Sequence, residues 1–133
     1  MPTHTQISIV FDGGSLGNPG TGYGSYRIRH GDEPWGPPVR LEFGARVTNN
    51  EAEYRSLIAA IENVKTMAGN PAEVALTVYG DSQLVINHLK GLWRVKAPNL
   101  GPLYLQARGI LGGFGRTSLV WQPRAKSVAL LGH

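Results

Sequence analysis

The sequence predicts an α/β domain built on a five-stranded mixed sheet flanked by helices. Three observations carry that prediction. The first third of the chain reads as strands broken by glycine and proline turns. A capping box over residues 48–51 then opens a long amphipathic helix. The remainder returns to a strand, two short helices and a last strand. The 133 residues suit one domain, 1–133, with no room for a second catalytic module.

Residues 7–11 are β-branched and aromatic, and Asp12-Gly13-Gly14 is read as ending this strand abruptly in a loop, which puts Asp12 at a strand end. Residues 13–24 hold six glycines, yet a dinucleotide-binding loop needs a helix directly behind them. Residues 23–29 alternate as a second strand instead, so the pair is a hairpin. A Pro-rich loop at 34–38 leads to a third strand at 39–43 and completes an antiparallel meander. Thr48 and Glu51 make the capping box, the hydroxyl accepting from the third helical amide while the carboxylate returns to the cap. Behind it Tyr54, Leu57, Ile58, Ile61, Val64 and Met67 recur at helical spacing, and Gly69-Asn70-Pro71 stops the helix. Residues 74–79 are a mostly apolar strand ending in Gly80-Asp81. Short helices over 82–89 and 102–111, a glycine turn at 112–115 and a last strand at 117–121 follow, in the order β-β-β-α-β-α-α-β.

Composition narrows the function classes. With 41% hydrophobic, 8% aromatic and 17% charged residues the chain can bury a core and is no disordered tail. The absence of cysteine removes disulfides, thiolate nucleophiles, iron–sulfur clusters and cysteine zinc sites, so any metal must sit on oxygen or imidazole. Residues 1–6 lack the basic and apolar regions of a signal peptide, and no apolar run approaches the roughly 20 residues that span a bilayer. The expectation is a soluble, cytoplasmic monomer with no membrane partner. The net charge of +4 conceals an asymmetry. Every carboxylate side chain lies at or before Asp81, whereas Lys90, Arg94, Lys96, Arg108, Arg116, Arg124 and Lys126 come after it. Such a cationic segment suits an anionic partner.

In open α/β sheets ligands gather beyond the carboxyl ends of the strands, and Asp12 and Asp81 both fall there if strands one and four are neighbours. Glu53, near the start of the long helix, reaches the same point if that helix packs across the sheet. Three carboxylates without a thiol or paired histidines favour magnesium or manganese over zinc. On spacing alone, three separate surface acids are an equal reading.

Three segments carry a resemblance: Phe11-Asp12-Gly13-Gly14-Ser15-x-Gly17-Asn18-Pro19-Gly20, Thr48-Asn49-Asn50-x-x-Glu53 and Gly80-Asp81-Ser82-Gln83. They are similar to the successive motifs of type 1 ribonuclease H. The stretch from Lys90 to Tyr104, with Trp93, Arg94 and Lys96, resembles the compact bacterial and archaeal branch that lacks the long basic protrusion. The resemblance runs from about Ile7 to Arg124 and implies a ribonuclease H-like fold and cleavage of the RNA strand of RNA/DNA hybrids, leaving 5′-phosphate and 3′-hydroxyl ends. It also implies two divalent ions, Mg2+ or Mn2+. Asp12 matches the carboxylate shared by both, and Glu53 and Asp81 match ligands of the ion on the leaving-group side. Glu51 lies two positions too early and is explained by its capping box. Gly17, Asn18, Asn50 and Gln83 match substrate-binding positions; the three amides resemble residues that contact the hybrid's minor groove, where the 2′-hydroxyl marks RNA. Trp93, Arg94 and Lys96 match a DNA-strand contact, an aromatic plane among phosphate-binding cations. Without the resemblance Asn18 reads as a turn residue, Asn50 as a helix-start residue and Trp93 as core.

The C-terminus departs from the family pattern. The compact branch follows its last strand with an Arg, an Asn three residues later and an Ala-Asp pair beginning six residues later, that Asp being the fourth metal ligand. The register from Arg124 sets Ser127, Leu130 and Leu131 at those places. Leu131 cannot ligate, His133 is the one ionisable metal-ligand side chain near that point, and the final helix is shortened. An incomplete metal site implies impaired turnover, and a hybrid-binding module of weak or no catalysis is the alternative.

Overall fold

A computed structural model of the chain describes residues 4–132. Its elements are β1 (Thr5–Leu16), β2 (Gly20–His30), β3 (Val39–Val47), α1 (Asn49–Ala68), β4 (Val74–Gly80), α2 (Gln83–Leu89), α3 (Gly101–Leu111), β5 (Arg116–Trp121) and α4 (Arg124–Leu131). The strands form one sheet in the order β3-β2-β1-β4-β5. The meander β1–β2–β3 is antiparallel, while β4 runs parallel to both β1 and β5, so the sheet is mixed as predicted.

One boundary differs from the sequence reading in a way that matters for the site. The first strand does not end at Asp12-Gly13-Gly14: β1 stays paired with β2 from Ile7↔His30 to Leu16↔Thr21. Its parallel ladder with β4 stops earlier, at Phe11↔Gly80. Asp12 is therefore inside a strand but just beyond the end of one of its two ladders. The glycines permit this because an antiparallel ladder needs only backbone groups, and bare Gly14 leaves room for the Tyr23 ring opposite it.

Alternation along β1 sends Ile7, Ile9 and Phe11 into a core shared with Leu76 and Val78 of β4 and with Tyr54, Leu57, Ile61 and Val64 of α1. The capping box is present, with Thr48 Oγ1 accepting from Glu51 N–H and Glu51 Oε1 accepting from Thr48 N–H at 2.9 Å. Met67 does not belong to the buried stripe as expected; it is 47% exposed. At about 100° per residue it falls well off the stripe's centre, and Ala68 packs on the core in its place. On the other face of the sheet, α4 packs against β1, β2 and β4, covering the side on which Val10 is fully buried. Among the described residues no helix is long and apolar enough to cross a membrane.

Two glycines decide how close α1 comes to the sheet. Gly13 and Gly24 face each other across β1 and β2. A Cβ on Gly13 would overlap the Ala52 carbonyl, and one on Gly24 would overlap Ser56 Oγ. Only bare backbone lets the first turns of α1 settle here, and that turn carries Glu53.

Candidate active site

The acidic residues converge where the parallel ladder ends. Asp12 follows Phe11, Asp81 follows Gly80, and these two are the last parallel pair. Beyond them β1 has no β4 alongside, and the Gly13 N–H donates to Glu53 Oε1 at 3.2 Å instead of to a strand. Asp81 is fixed from the other side: Trp121 Nε1–H donates to its carbonyl at 3.1 Å, and Gln122 N–H donates to Gly80 O at 2.9 Å. One carboxylate oxygen from each of Asp12, Glu53 and Asp81 lies within 4.8 Å of the others. Asp12 and Glu53 are buried and Asp81 is partly buried. The reading of three separate surface acids is thereby excluded.

Burial and mutual proximity raise the carboxyls of Glu53 and Asp81. Burial, followed by the nearness of Asp12 and Asp81, pushes the Glu53 carboxyl well above its ordinary range. Burial and Asp12 likewise push Asp81 up to about 6, against the opposing pull of the Arg124 guanidinium. Two ionised carboxylates within 4.8 Å of each other repel by roughly 3 kcal/mol or more at an effective dielectric of about 20. Glu53 Oε2 and Asp81 Oδ2 are sealed from solvent with no hydrogen-bond partner, the state polar atoms avoid unless something else satisfies them. An all-oxygen donor set with unsatisfied buried oxygens fits a hard divalent cation. Glu51 stays outside the cluster; its bond to the Thr48 backbone holds it below the ordinary range, as a capping residue.

A family model described as "Reverse transcriptase-like" matches residues 38–129. The N-terminal RNase H domain of Rv2228c from Mycobacterium tuberculosis, solved as a fusion with maltose binding protein, is 34% identical with a TM-score of 0.84, covering 95% of this chain and 88% of that one. RNase H1 from the archaeon Halobacterium salinarum NRC-1 is 35% identical with a TM-score of 0.82, covering 94% and 93%.

The chain belongs to the type 1 ribonuclease H family.

A third structure of this family, LC11-RNase H1 in complex with an RNA/DNA hybrid, is 27% identical with a TM-score of 0.84, covering 93% of this chain and 90% of that one. The chain spans about a third (32%) of the full-length "Bifunctional protein Rv2228c" and 58% of the halobacterial "Ribonuclease HI", at 37% identity to each over 123 residues.

The other positions singled out from sequence lie outside the acidic cluster. Gly17 sits at positive φ in the exposed β1–β2 turn. Asn18 is also exposed, but its Oδ1 accepts from Asn49 N–H at 3.1 Å, so its carbonyl is committed to the start of α1. Asn50 is exposed on the first turn of α1 and Gln83 on the first turn of α2, just past Asp81. Trp93 is 47% exposed and not core. With Asn50, Arg94 and Lys96 it lines a groove of about 540 Å³. Leu131 is buried in α4, and among the described residues no fourth carboxylate or histidine joins the three acids. His133 lies outside the described residues.

Two contributors were missed from sequence. Asn49 clasps the hairpin, its Oδ1 accepting from Ser15 N–H at 2.8 Å while its own N–H reaches Asn18. Its place beside the capping threonine was the available signal. His88 is buried, hydrogen-bonded to Tyr54 and part of the groove wall, with no signal in its sequence neighbourhood.

Proposed function

We propose that this chain hydrolyses the RNA strand of RNA/DNA hybrids, leaving 5′-phosphate and 3′-hydroxyl ends, as a monomeric single domain using two divalent ions. The observation that carries the reading is the Asp12–Glu53–Asp81 cluster, with its unsatisfied buried oxygens, at the end of the parallel ladder in a chain of this family. Asp12, Glu53 and Asp81 would hold the ions, Mg2+ or Mn2+. When bound, the ions supply positive charge to the attacking and departing oxygens of an in-line displacement at phosphorus. The protein's own part is positioning. Gly13 N–H orients Glu53, and the Trp121 and Gln122 contacts hold the Asp81 turn. Asn50 and Gln83 offer amides that accept from and donate to 2′-hydroxyls and base edges without demanding one sequence, while Asn18, its carbonyl held by Asn49 N–H, offers its amide N–H as donor. Trp93, Arg94 and Lys96 present a ring and two cations to a nucleic-acid backbone. The hybrid bound by LC11-RNase H1 supports the same substrate class here.

A second reading, a hybrid-binding module with weak or no turnover, is favoured by one observation. Leu131, at the register of the fourth carboxylate, is apolar and 1% exposed, so the ion that would activate water has fewer ligands. One experiment separates the two: cleavage of a labelled hybrid in Mg2+ and then Mn2+, with duplex DNA and duplex RNA as controls. Cleavage of the hybrid alone, lost in Asp12→Asn with binding kept within a few fold, is the expected result. Tight binding without cleavage by the parent would establish the second reading, and full activity in a folded Asp12→Asn would overturn the site.

A further inference from the structure

His88 is 4% exposed and sits between two tyrosines, Tyr54 stacked at 6.0 Å and Tyr104 edge-on at 6.3 Å between ring centroids. Its Nδ1 lies 2.7 Å from the Tyr54 hydroxyl. Two proton arrangements satisfy that distance, and the surroundings choose between them. Tyr54 is fully buried and His88 is its one hydrogen-bond partner among the described residues. If Nδ1 carried the proton, the tyrosine O–H would be a buried donor without an acceptor, an arrangement folded proteins avoid. The O–H therefore donates to Nδ1, and the imidazole proton must sit on Nε2. Burial also holds the ring neutral by lowering its basicity.

The Nε2–H so defined has a place to point. No described residue hydrogen-bonds Nε2, and it is absent from the polar atoms sealed away from solvent. His88 forms part of the groove wall with Asn50, Leu92, Trp93, Arg94 and Lys96. Leu92 and Trp93 are tied to the helix that carries His88, since their N–H groups both donate to Asn87 O, at 2.9 and 3.2 Å. A buried donor lining a groove together with two cations and an exposed indole matches one acceptor chemistry best, an anionic phosphodiester oxygen beside a stacked sugar or base.

We propose that His88, oriented by Tyr54, donates its Nε2–H to a backbone phosphate of the bound hybrid in the Trp93 groove. The inference rests on the hybrid reading above. It makes His88 a substrate-binding residue and Tyr54 a positioning residue, and it links the buried core to the nucleic-acid surface through one hydrogen-bonded pair.

The test is hybrid binding by fluorescence anisotropy in EDTA, which stops cleavage, with thermal melts as folding controls. His88→Met keeps the volume and removes the donor, and it should weaken binding about tenfold, the worth of a hydrogen bond to a charged acceptor. His88→Gln sets an amide N–H where Nε2 stands and should recover binding to within about threefold of the parent. Tyr54→Phe frees the ring to take either tautomer and should cost about threefold. Hybrids with single methylphosphonates along each strand supply a readout that loss of packing cannot mimic. Neutralising one particular phosphate should weaken the parent yet leave His88→Met unchanged, and the strand that holds it names the groove's occupant. Should His88→Met fold poorly, His88→Gln, Tyr54→Phe and the parent's methylphosphonate profile still decide the matter. Parental affinity in His88→Met, or an unaltered methylphosphonate profile, while Trp93→Ala binds weakly, would overturn the role of His88 alone. Parental affinity in both His88→Met and Trp93→Ala would overturn the hybrid reading of the groove and the inference with it.

Discussion

Replacing Asp81 by Asn should make the metal-free protein more stable, against the usual direction for a buried-site mutation. Asp81 Oδ2 has no hydrogen-bond partner to lose, and the side chain faces Asp12 and Glu53. Its rise from 3.8 to about 6 corresponds to roughly 3 kcal/mol once the carboxyl is ionised. Water reaching this half-buried group screens the effect to about 1–2 kcal/mol, equivalent to roughly 4–8 °C in melting temperature for a chain of this size. The sign follows from proton linkage. The folded protein holds this proton more tightly than the unfolded chain, so below about pH 4 the group is protonated in both states and costs nothing. As pH rises to about 6 the unfolded chain ionises first and stability falls, and above that the full penalty is present. Melts in EDTA at pH 8 and pH 4 should therefore show a large gain for Asp81→Asn at the higher pH and almost none at the lower. Manganese at millimolar concentration should close or reverse the gap, because it stabilises only the form that binds it. An Asp81→Asn protein no more stable than the parent at pH 8, or equally stabilised at both pH values, would refute the electrostatic account of the cluster.

Other perturbations follow from the same geometry. Gly13→Ala drives a methyl into the Ala52 carbonyl and should cost about 1–3 kcal/mol in urea unfolding. Its cleavage rate should fall further than Gly24→Ala at equal stability, since Gly13 N–H also holds Glu53. Leu131→Asp buries a carboxylate on the α4 side and should destabilise the protein in EDTA by at least about 2 kcal/mol. Magnesium should restore part of that loss and raise cleavage per folded molecule, and flat activity would refute the register from Arg124. Arg94→Gln and Lys96→Gln should each reduce the salt slope of hybrid affinity by up to about one unit, measured by titration at several salt concentrations. Slopes equal to the parent's would show that these cations face away from the nucleic acid.

Local chemistry made much of the architecture readable. Thr48 and Glu51 mark the start of α1, Gly69 its end, and the alternating segments form the meander, because caps, turns and periodicity act over a few residues. The order of elements and the motifs around Asp12, Glu53 and Asp81 were likewise present in the chain itself. What spacing could not decide is whether those acids meet. That required β4 to lie parallel beside β1 and to stop at Gly80 while β1 continued with β2, a difference between two ladders of one strand. It also required the Gly13–Gly24 pair of the hairpin to lie beneath Ala52 and Ser56 of α1, segments distant in sequence. Met67 was misplaced, and side-chain type alone would have misplaced Trp93, for the same reason: exposure depends on which neighbours arrive. The Tyr54–His88 pair joins residues 34 apart through a buried hydrogen bond, and only packing of α2 against α1 could reveal it. The sequence determined the elements and the inventory of chemical groups through short-range interactions; tertiary structure decided which groups share a site, because burial and carboxylate repulsion exist only once distant segments are brought together.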